Sequence, residues 1–191
     1  MVFTNNWFEV TAKGNFEKYL LPLTKDESKS FNFLEVGCYE GQASVWLMEN
    51  TTAKLTVIDT FEGSKEHDKQ FEKTLLNRFT ENIAPHEKRV EVLVGTSREH
   101  LKRLENDSYD FIYIDGSHQA SDVLEDAVLA FPLLRKNGIM IFDDYTWGLG
   151  MEHYDIPVFG IDAFLAVYGN QLKVLEKNSQ VIISKMAVPP L

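Results

Sequence analysis

The chain of 191 residues holds one cysteine, Cys38, which excludes an internal disulfide and a cysteine-built metal cage. Long apolar runs are also missing: none approaches the ~18 residues that a membrane-crossing helix needs. The first residues, Met1-Val-Phe-Thr-Asn-Asn-Trp7, lack the basic start and apolar stretch of a secretory leader. The expected setting is therefore a reducing cytoplasm, away from any membrane. Positive charge is scarce. Lys and Arg number 19 against 29 Asp and Glu, a formal net charge of -10. The basic residues are scattered, with thin clusters only at Lys88-Arg89 and from Arg98 to Arg103. Such a surface repels a phosphate polyanion, so nucleic acid is a disfavoured partner. A small molecule, or a divalent cation held by carboxylates, suits this charge better. Internal repeats and low-complexity stretches are absent, and one domain is the expectation at this length.

What the chain does have is an alternation of apolar runs and helical patterns. Strands are predicted over 31–36, 54–59, 89–94, 109–115 and 138–143. Between them, helices are predicted over 43–49, 69–83, 98–104, 120–134 (despite Pro132) and 161–168. In the second helix Phe71, Leu75, Leu76 and Phe79 are spaced for one face. Two short strands, 172–176 and 180–184, close the order around the turn signal Asn178-Ser179. This is an α/β fold: a three-layer α/β/α sandwich on a seven-stranded, mostly parallel sheet with a C-terminal antiparallel hairpin. Residues 1–30 read as an N-terminal cap segment, with Phe16, Tyr19, Leu20 and Leu23 at helical spacing. Packing on the core is the preferred role for that segment, and lining a substrate cleft is the other. Residues 31–191 then form the domain proper.

In such sheets ligands bind outside the carboxyl ends of the strands. The polar residues of interest fall there: Glu35, Asp59, Gly95-Thr96-Ser97, Asp115 and Asp143-Asp144. Glu35-Val36-Gly37-Cys38-Tyr39-Glu40-Gly41 follows a strand and opens a helix. Its Gly37 is expected to let the backbone turn, and its Gly41 to let a ligand approach. The glycine spacing departs from Gly-x-Gly-x-x-Gly, which counts against an NAD-dependent oxidoreductase, and no Gly-Lys-Ser/Thr of a P-loop follows. Asp59, at the end of the next strand, can accept both hydroxyls of a ribose.

The loop, Asp59 and the closing hairpin resemble the Rossmann-like S-adenosylmethionine-dependent methyltransferases. The resemblance implies a donor held by Glu35, Gly37, Cys38, Tyr39 and Gly41, with its ribose on Asp59 and Thr60. It places the adenine near Thr96 and Ser97, where many members carry an acid, and Asp115 beside the donor. Cys38 reads as a small loop residue, since nothing nearby in sequence would activate a thiol.

Adjacent parallel strands bring Asp115 beside Asp143-Asp144, and three unpaired carboxylates there repel one another. A hard divalent cation such as Mg²⁺ is the simplest relief, and it can lower the pKa of a bound hydroxyl. His118, three residues beyond Asp115, can take the hydroxyl proton or serve as a helix-entry residue with a structural hydrogen bond. The run Ile114-Asp115-Gly116-Ser117-His118, then Leu133-Leu134-x-x-x-Gly138, then Phe142-Asp143-Asp144-Tyr145 is similar to the group containing macrolide-sugar O-methyltransferases. That resemblance implies metal binding by Asp115, Asp143 and Asp144, with His118 as general base. Asp115 and His118 are then the catalytic residues, and the acceptor is a small hydroxylated molecule such as a sugar. The loop over 147–160 is expected to cover the acceptor, and 61–68 to form a second lid. A metal-independent methyltransferase acting on another acceptor and a non-catalytic donor-binding protein are the alternatives. Self-association into a homo-oligomer stays open.

Overall fold

The computed structural model describes residues 1–26, 28–63 and 74–187. The chain opens with α1 (Trp7–Thr11), α2 (Lys13–Asn15) and a π-helical turn, Phe16–Leu20. There follow β1 (Asn32–Val36), α3 (Gln42–Asn50), β2 (Lys54–Asp59), α4 (Leu75–Ile83), β3 (Val90–Val94) and α5 (Ser97–Leu101). Then come β4 (Tyr109–Ile114), α6 (Ala120–Ala130), β5 (Leu134–Phe142), α7 (Pro157–Tyr168), β6 (Leu172–Lys177) and β7 (Val181–Lys185). The strands form one sheet in the order β3-β2-β1-β4-β5-β7-β6. The pairs among β1 to β5 are parallel, and β7 runs antiparallel to both β5 and β6.

The central strands are apolar throughout because both faces are covered. Along β4, Phe111 and Tyr113 point to one side and Ile112 and Ile114 to the other, with side chains alternating at period two. The first side packs under the lead-in helices, α3 and α4. The second packs under α5, α6 and α7. The lead-in is core as well as cover. Phe16 is fully buried, and its ring centroid lies 4.9 Å from Tyr113, 5.1 Å from Phe8, 5.4 Å from Phe111 and 5.6 Å from Trp46.

Three boundaries differ from the sequence expectation by four residues each, and α5 ends at Leu101, three residues before its expected end. Helix α6 ends at Ala130 and a 3-10 turn, Phe131–Leu133, takes over, because Pro132 offers no N–H and its ring clashes one turn back. Strand β5 begins at Leu134, four residues before Gly138. Its pairing with β4 is irregular between Tyr109 and Phe111, so Arg135-Lys136-Asn137 look like a loop in sequence yet extend the strand. Helix α7 starts at Pro157, whose fixed φ and missing N–H suit a first turn. Strand β3 is an edge, and Val92 and Val94 are exposed there. Of the helix expected over 69–83, residues 69–73, Phe71 among them, lie outside the described residues.

Candidate active site

Strand order reverses beside β1. The chain steps outward through β2 and β3, then returns to β4 on β1's other side. The carboxyl ends of β1, β2, β4 and β5 meet in register, with Val36 beside Ile58 and Ile114, and Ile114 beside Phe142. A cavity of about 980 Å³ opens at that switch point. The residues following β1, β2, β3, β4 and β5 all contribute to its wall.

Gly37 has φ +82°, and a Cβ there would lie 2.1 Å from the Asp115 carbonyl oxygen. Only glycine lets the β1 and β4 loops touch this way, with Gly37 N donating to Ile58 O at 2.9 Å and Asp115 N to Val36 O at 2.8 Å. Gly41, φ +86°, begins α3 but does not line the cavity; a Cβ on it would meet the Phe79 ring at 2.9 Å. Its missing side chain makes room for core packing rather than for a ligand.

Asp59 ties the loop down. Its Oδ2 accepts from Cys38 N at 2.7 Å and Tyr39 N at 3.1 Å, and its Oδ1 from Phe61 N at 2.7 Å. A carboxylate has about four acceptor positions, so three amides leave room for a further donor. Glu35 lies beneath the loop, buried, and accepts from Ser44 Oγ at 2.5 Å. Burial pushes its carboxyl up to about 8, against the hydrogen bond from Ser44. Burial likewise raises the Cys38 thiol, with the charges of Asp59, Glu35 and Asp115 adding to it. A thiol held protonated is no nucleophile.

The lead-in fastens the same loop from outside. Glu40, buried, accepts from Thr4 N at 2.7 Å, Thr4 Oγ1 at 3.0 Å and Arg78 Nη1 at 3.3 Å. Gln42 bonds to Asn5 O and accepts from Phe8 N. Trp7 then reaches the cavity wall, with its ring 5.6 Å from that of Tyr39.

At the opposite end, burial raises the Asp115 carboxyl well above the usual range, and the charges of Asp143, Asp144 and Glu35 push the same way. Burial, then the charge of Asp144, raises Asp143 also. The hydroxyl of the buried Tyr113 donates to Asp143 Oδ2, and Asp144 N donates to Asp143 Oδ1 at 2.8 Å. Asp144 is left-handed, φ +57°, a conformation its short polar side chain tolerates. His118 Nε2 lies 2.9 Å from Asp144 Oδ2, and the imidazole packs on Trp147 with centroids 4.0 Å apart. Among the described residues, no three His, Cys, Asp or Glu side chains stand close enough together to hold a metal ion as they are now arranged.

Glu35, Gly37, Cys38, Tyr39, Asp59, Thr60, Thr96, Ser97, Asp115, His118, Asp143 and Asp144 all line the one cavity. The Thr96 hydroxyl is engaged at the start of α5: it accepts from Glu99 N at 3.3 Å and lies 3.0 Å from Glu99 Oε2. Within the loop expected to cover an acceptor, Trp147 lines this cavity, while Pro157 to Gly160 belong to α7. Residues 64–68 of the second expected lid lie outside the described residues. Sequence reasoning missed Trp7, Glu40, Tyr113 and Asp126 at the cavity wall. Asp126 could have been found, since it is the lone acid in the stripe formed by Val123, Ala127 and Ala130. Glu40 carried no such signal, because its partners are distant in sequence.

Comparison with known proteins gives a family and a shared fold. Residues 34–145 match a family model described as a methyltransferase domain, methyltransferase family 24. An uncharacterized protein of Acanthamoeba polyphaga mimivirus is 28% identical over 134 residues, 62% of this chain and 53% of that protein. The chain thus spans about half the length of this curated relative. Three solved structures share the fold. The O-methyltransferase TomG of Streptomyces achromogenes, solved with S-adenosylmethionine, has a TM-score of 0.66 at 18% identity, covering 90% of this chain and 80% of its own. An O-methyltransferase of Bacillus cereus, solved with S-adenosylhomocysteine, has 0.63 at 19% identity, covering 97% and 93%. The MycE methyltransferase of the mycinamycin pathway, solved with magnesium, S-adenosylhomocysteine and mycinamycin VI, has 0.64 at 14% identity, covering 100% and 54%.

Proposed function

The chain belongs to methyltransferase family 24 and has the Rossmann-like fold of S-adenosylmethionine-dependent methyltransferases, and from that premise we propose that it methylates an oxygen of a small hydroxylated acceptor such as a sugar. The observation that carries this reading is the shared crevice. The glycine loop and Asp59 wall one part of a single cavity, and His118 with Asp144 walls another. Its volume of about 980 Å³ suits a nucleoside with an amino-acid tail and an acceptor beside it.

The bound donor supplies a methyl group on a positively charged sulfonium. Gly37, Cys38 and Tyr39 would hold its amino-acid end, and Asp59 with Thr60 its ribose. Acids dominate the wall, and Arg98 is the one Lys or Arg that lines it among the described residues. That field favours a cationic donor and an uncharged or cationic acceptor over a phosphorylated one. A neutral hydroxyl is a poor nucleophile, so its proton must leave. His118 takes that proton, while Asp144 orients the imidazole and stabilises the imidazolium that forms. Trp147, against the ring, limits water around it.

Asp115, Asp143 and Asp144 offer hard oxygen donors, and the neighbouring charges that act on Asp115 are all carboxylates. In donor chemistry this set fits a divalent cation such as Mg²⁺, and the magnesium bound with MycE supports the same reading. Such a cation would lower the pKa of the acceptor hydroxyl. The His118–Asp144 contact favours a second reading, in which the pair works without metal. Methyl transfer from labelled donor to a panel of sugars and phenols, with Mg²⁺ and after chelation, separates the two. A rate unchanged by chelator rejects the metal. Binding of donor with no acceptor methylated rejects the enzyme and leaves a donor-binding protein.

A further inference from the structure

Helix α6 turns Val123, Ala127 and Ala130 into the core, and Asp126 shares that stripe. Asp126 is only 4% exposed, yet it lines the cavity where Thr96 and Ser97 follow β3. A carboxyl buried without compensation is costly. The Arg98 guanidinium is engaged by Glu125 at 2.6 Å. The groups acting on Asp126 are the Ser97 hydroxyl and two further acids of its own helix, Asp122 and Glu125. Burial pushes its carboxyl up to about 7; Ser97 opposes the shift, and the two acids add to it. Across the cavity wall stands Gly116, where a Cβ would lie 3.7 Å from Asp126 Oδ2. Asp126, Gly116 and Ser97 line the same cavity, so a ligand seated there can reach the carboxyl.

A carboxyl in such a place suits a ligand edge that carries an N–H. The adenine of a methyl donor presents one in its exocyclic amine. The Thr96 hydroxyl is already engaged with Glu99, which does not line the cavity, and the loop Gly95-Thr96 between β3 and α5 holds no acid to do this work. We propose that Asp126 reads the adenine of the donor, its carboxyl accepting from the exocyclic amine beside the Ser97 hydroxyl, so that helix α6 supplies the acid which the loop after β3 lacks. This rests on the methyl-donor reading above.

The test is calorimetric titration of the purified chain with S-adenosylhomocysteine and with its deamino analogue, whose base is unsubstituted purine. Wild type should favour the adenosyl compound by about tenfold or more, the scale of one buried hydrogen bond. Asp126→Leu should abolish that preference, weakening the adenosyl compound about tenfold and the analogue less than about twofold. Asp126→Asn, whose amide oxygen still accepts, should restore adenosyl affinity to within about threefold. If the leucine variant loses its fold, Asp126→Ala supplies the same ratio. Equal losses for both ligands, or a wild type without preference, overturn the assignment to Asp126. A wild type that binds neither ligand overturns the methyl-donor reading itself.

Discussion

Replacing Gly37 by alanine strains a place where the two halves of the sheet touch at the candidate site. The new Cβ would lie 2.1 Å from Asp115 O, 2.5 Å from Asp115 C and 2.6 Å from Gly116 Cα. All three are backbone atoms, so no rotamer change relieves the clash. Reaching ordinary contact at ~3.5 Å from Asp115 O requires the loops to part by roughly 1.4 Å. The bonds Gly37 N to Ile58 O and Asp115 N to Val36 O resist that movement. Overpacking typically costs about 1–3 kcal/mol, and φ +82° adds about 1–2 kcal/mol for a residue with a Cβ. The total of about 2–5 kcal/mol should lower the melting temperature by roughly 4–20 °C for a chain of this size. Donor affinity should fall by at least about tenfold with it, because the displaced loop is part of the cavity wall. Gly41→Ala carries similar φ strain but meets only the Phe79 ring, outside the cavity. It should melt lower while holding S-adenosylhomocysteine to within about threefold of wild type. Gly14→Ala, with open space around it, is the control. Scanning calorimetry and titration with S-adenosylhomocysteine measure both quantities. A Gly37→Ala variant that melts within about 1 °C of wild type and binds normally refutes the reasoning.

His118→Ala should reduce kcat by about 10²–10⁴-fold with donor affinity retained; a pH–rate profile identical to wild type would remove His118 as base. Asp59→Ala leaves the amides of Cys38, Tyr39 and Phe61 without their acceptor. It should weaken donor binding by about 1–3 kcal/mol and lower the melting temperature, and calorimetry showing unaltered affinity would sink the ribose assignment. Glu35 and Asp126, raised to about 8 and about 7, bind protons more tightly folded than unfolded. Their stabilisation is therefore complete below the ordinary carboxyl range near ~4 and is lost as pH rises through 7 to 8. The unliganded chain should melt progressively lower from pH 5 to about 8.5, and Glu35→Gln should flatten part of that slope; a flat wild-type profile contradicts the burial argument.

The sheet was legible because each central strand is a mostly apolar run with a polar residue at or next to its carboxyl end. Phe33 to Val36, Leu55 to Asp59 and Phe111 to Ile114 announce the strands, and Glu35, Asp59 and Asp115 mark the candidate site at or beside their carboxyl ends. The candidate residues were found to line one cavity for the same reason, since strand ends share one rim of a parallel sheet. Contacts between elements were not. Sequence spacing shows Gly41 as a loop glycine and cannot show that Phe79 fills the space beside it. It shows Asp59 at a strand end, but its acceptance of loop amides depends on β1 and β2 lying in register. Arg135-Lys136-Asn137 read as a break, although β5 runs through them because Leu134 pairs with Tyr109.

The position of β7 governs when this sheet can be completed. It is made after β6, yet it lies between β6 and β5. Until residues 181–185 leave the ribosome, β5 keeps an open edge of unpaired amides and carbonyls, and β6 has no strand to pair with. The first five strands can assemble during synthesis, but they do so beside a sticky margin exposed to other nascent chains. Slow synthesis between α7 and β7 would lengthen that exposure. Charge-reversing or proline substitutions within 181–185 should show first as aggregation of new protein, before any effect on the catalytic rim.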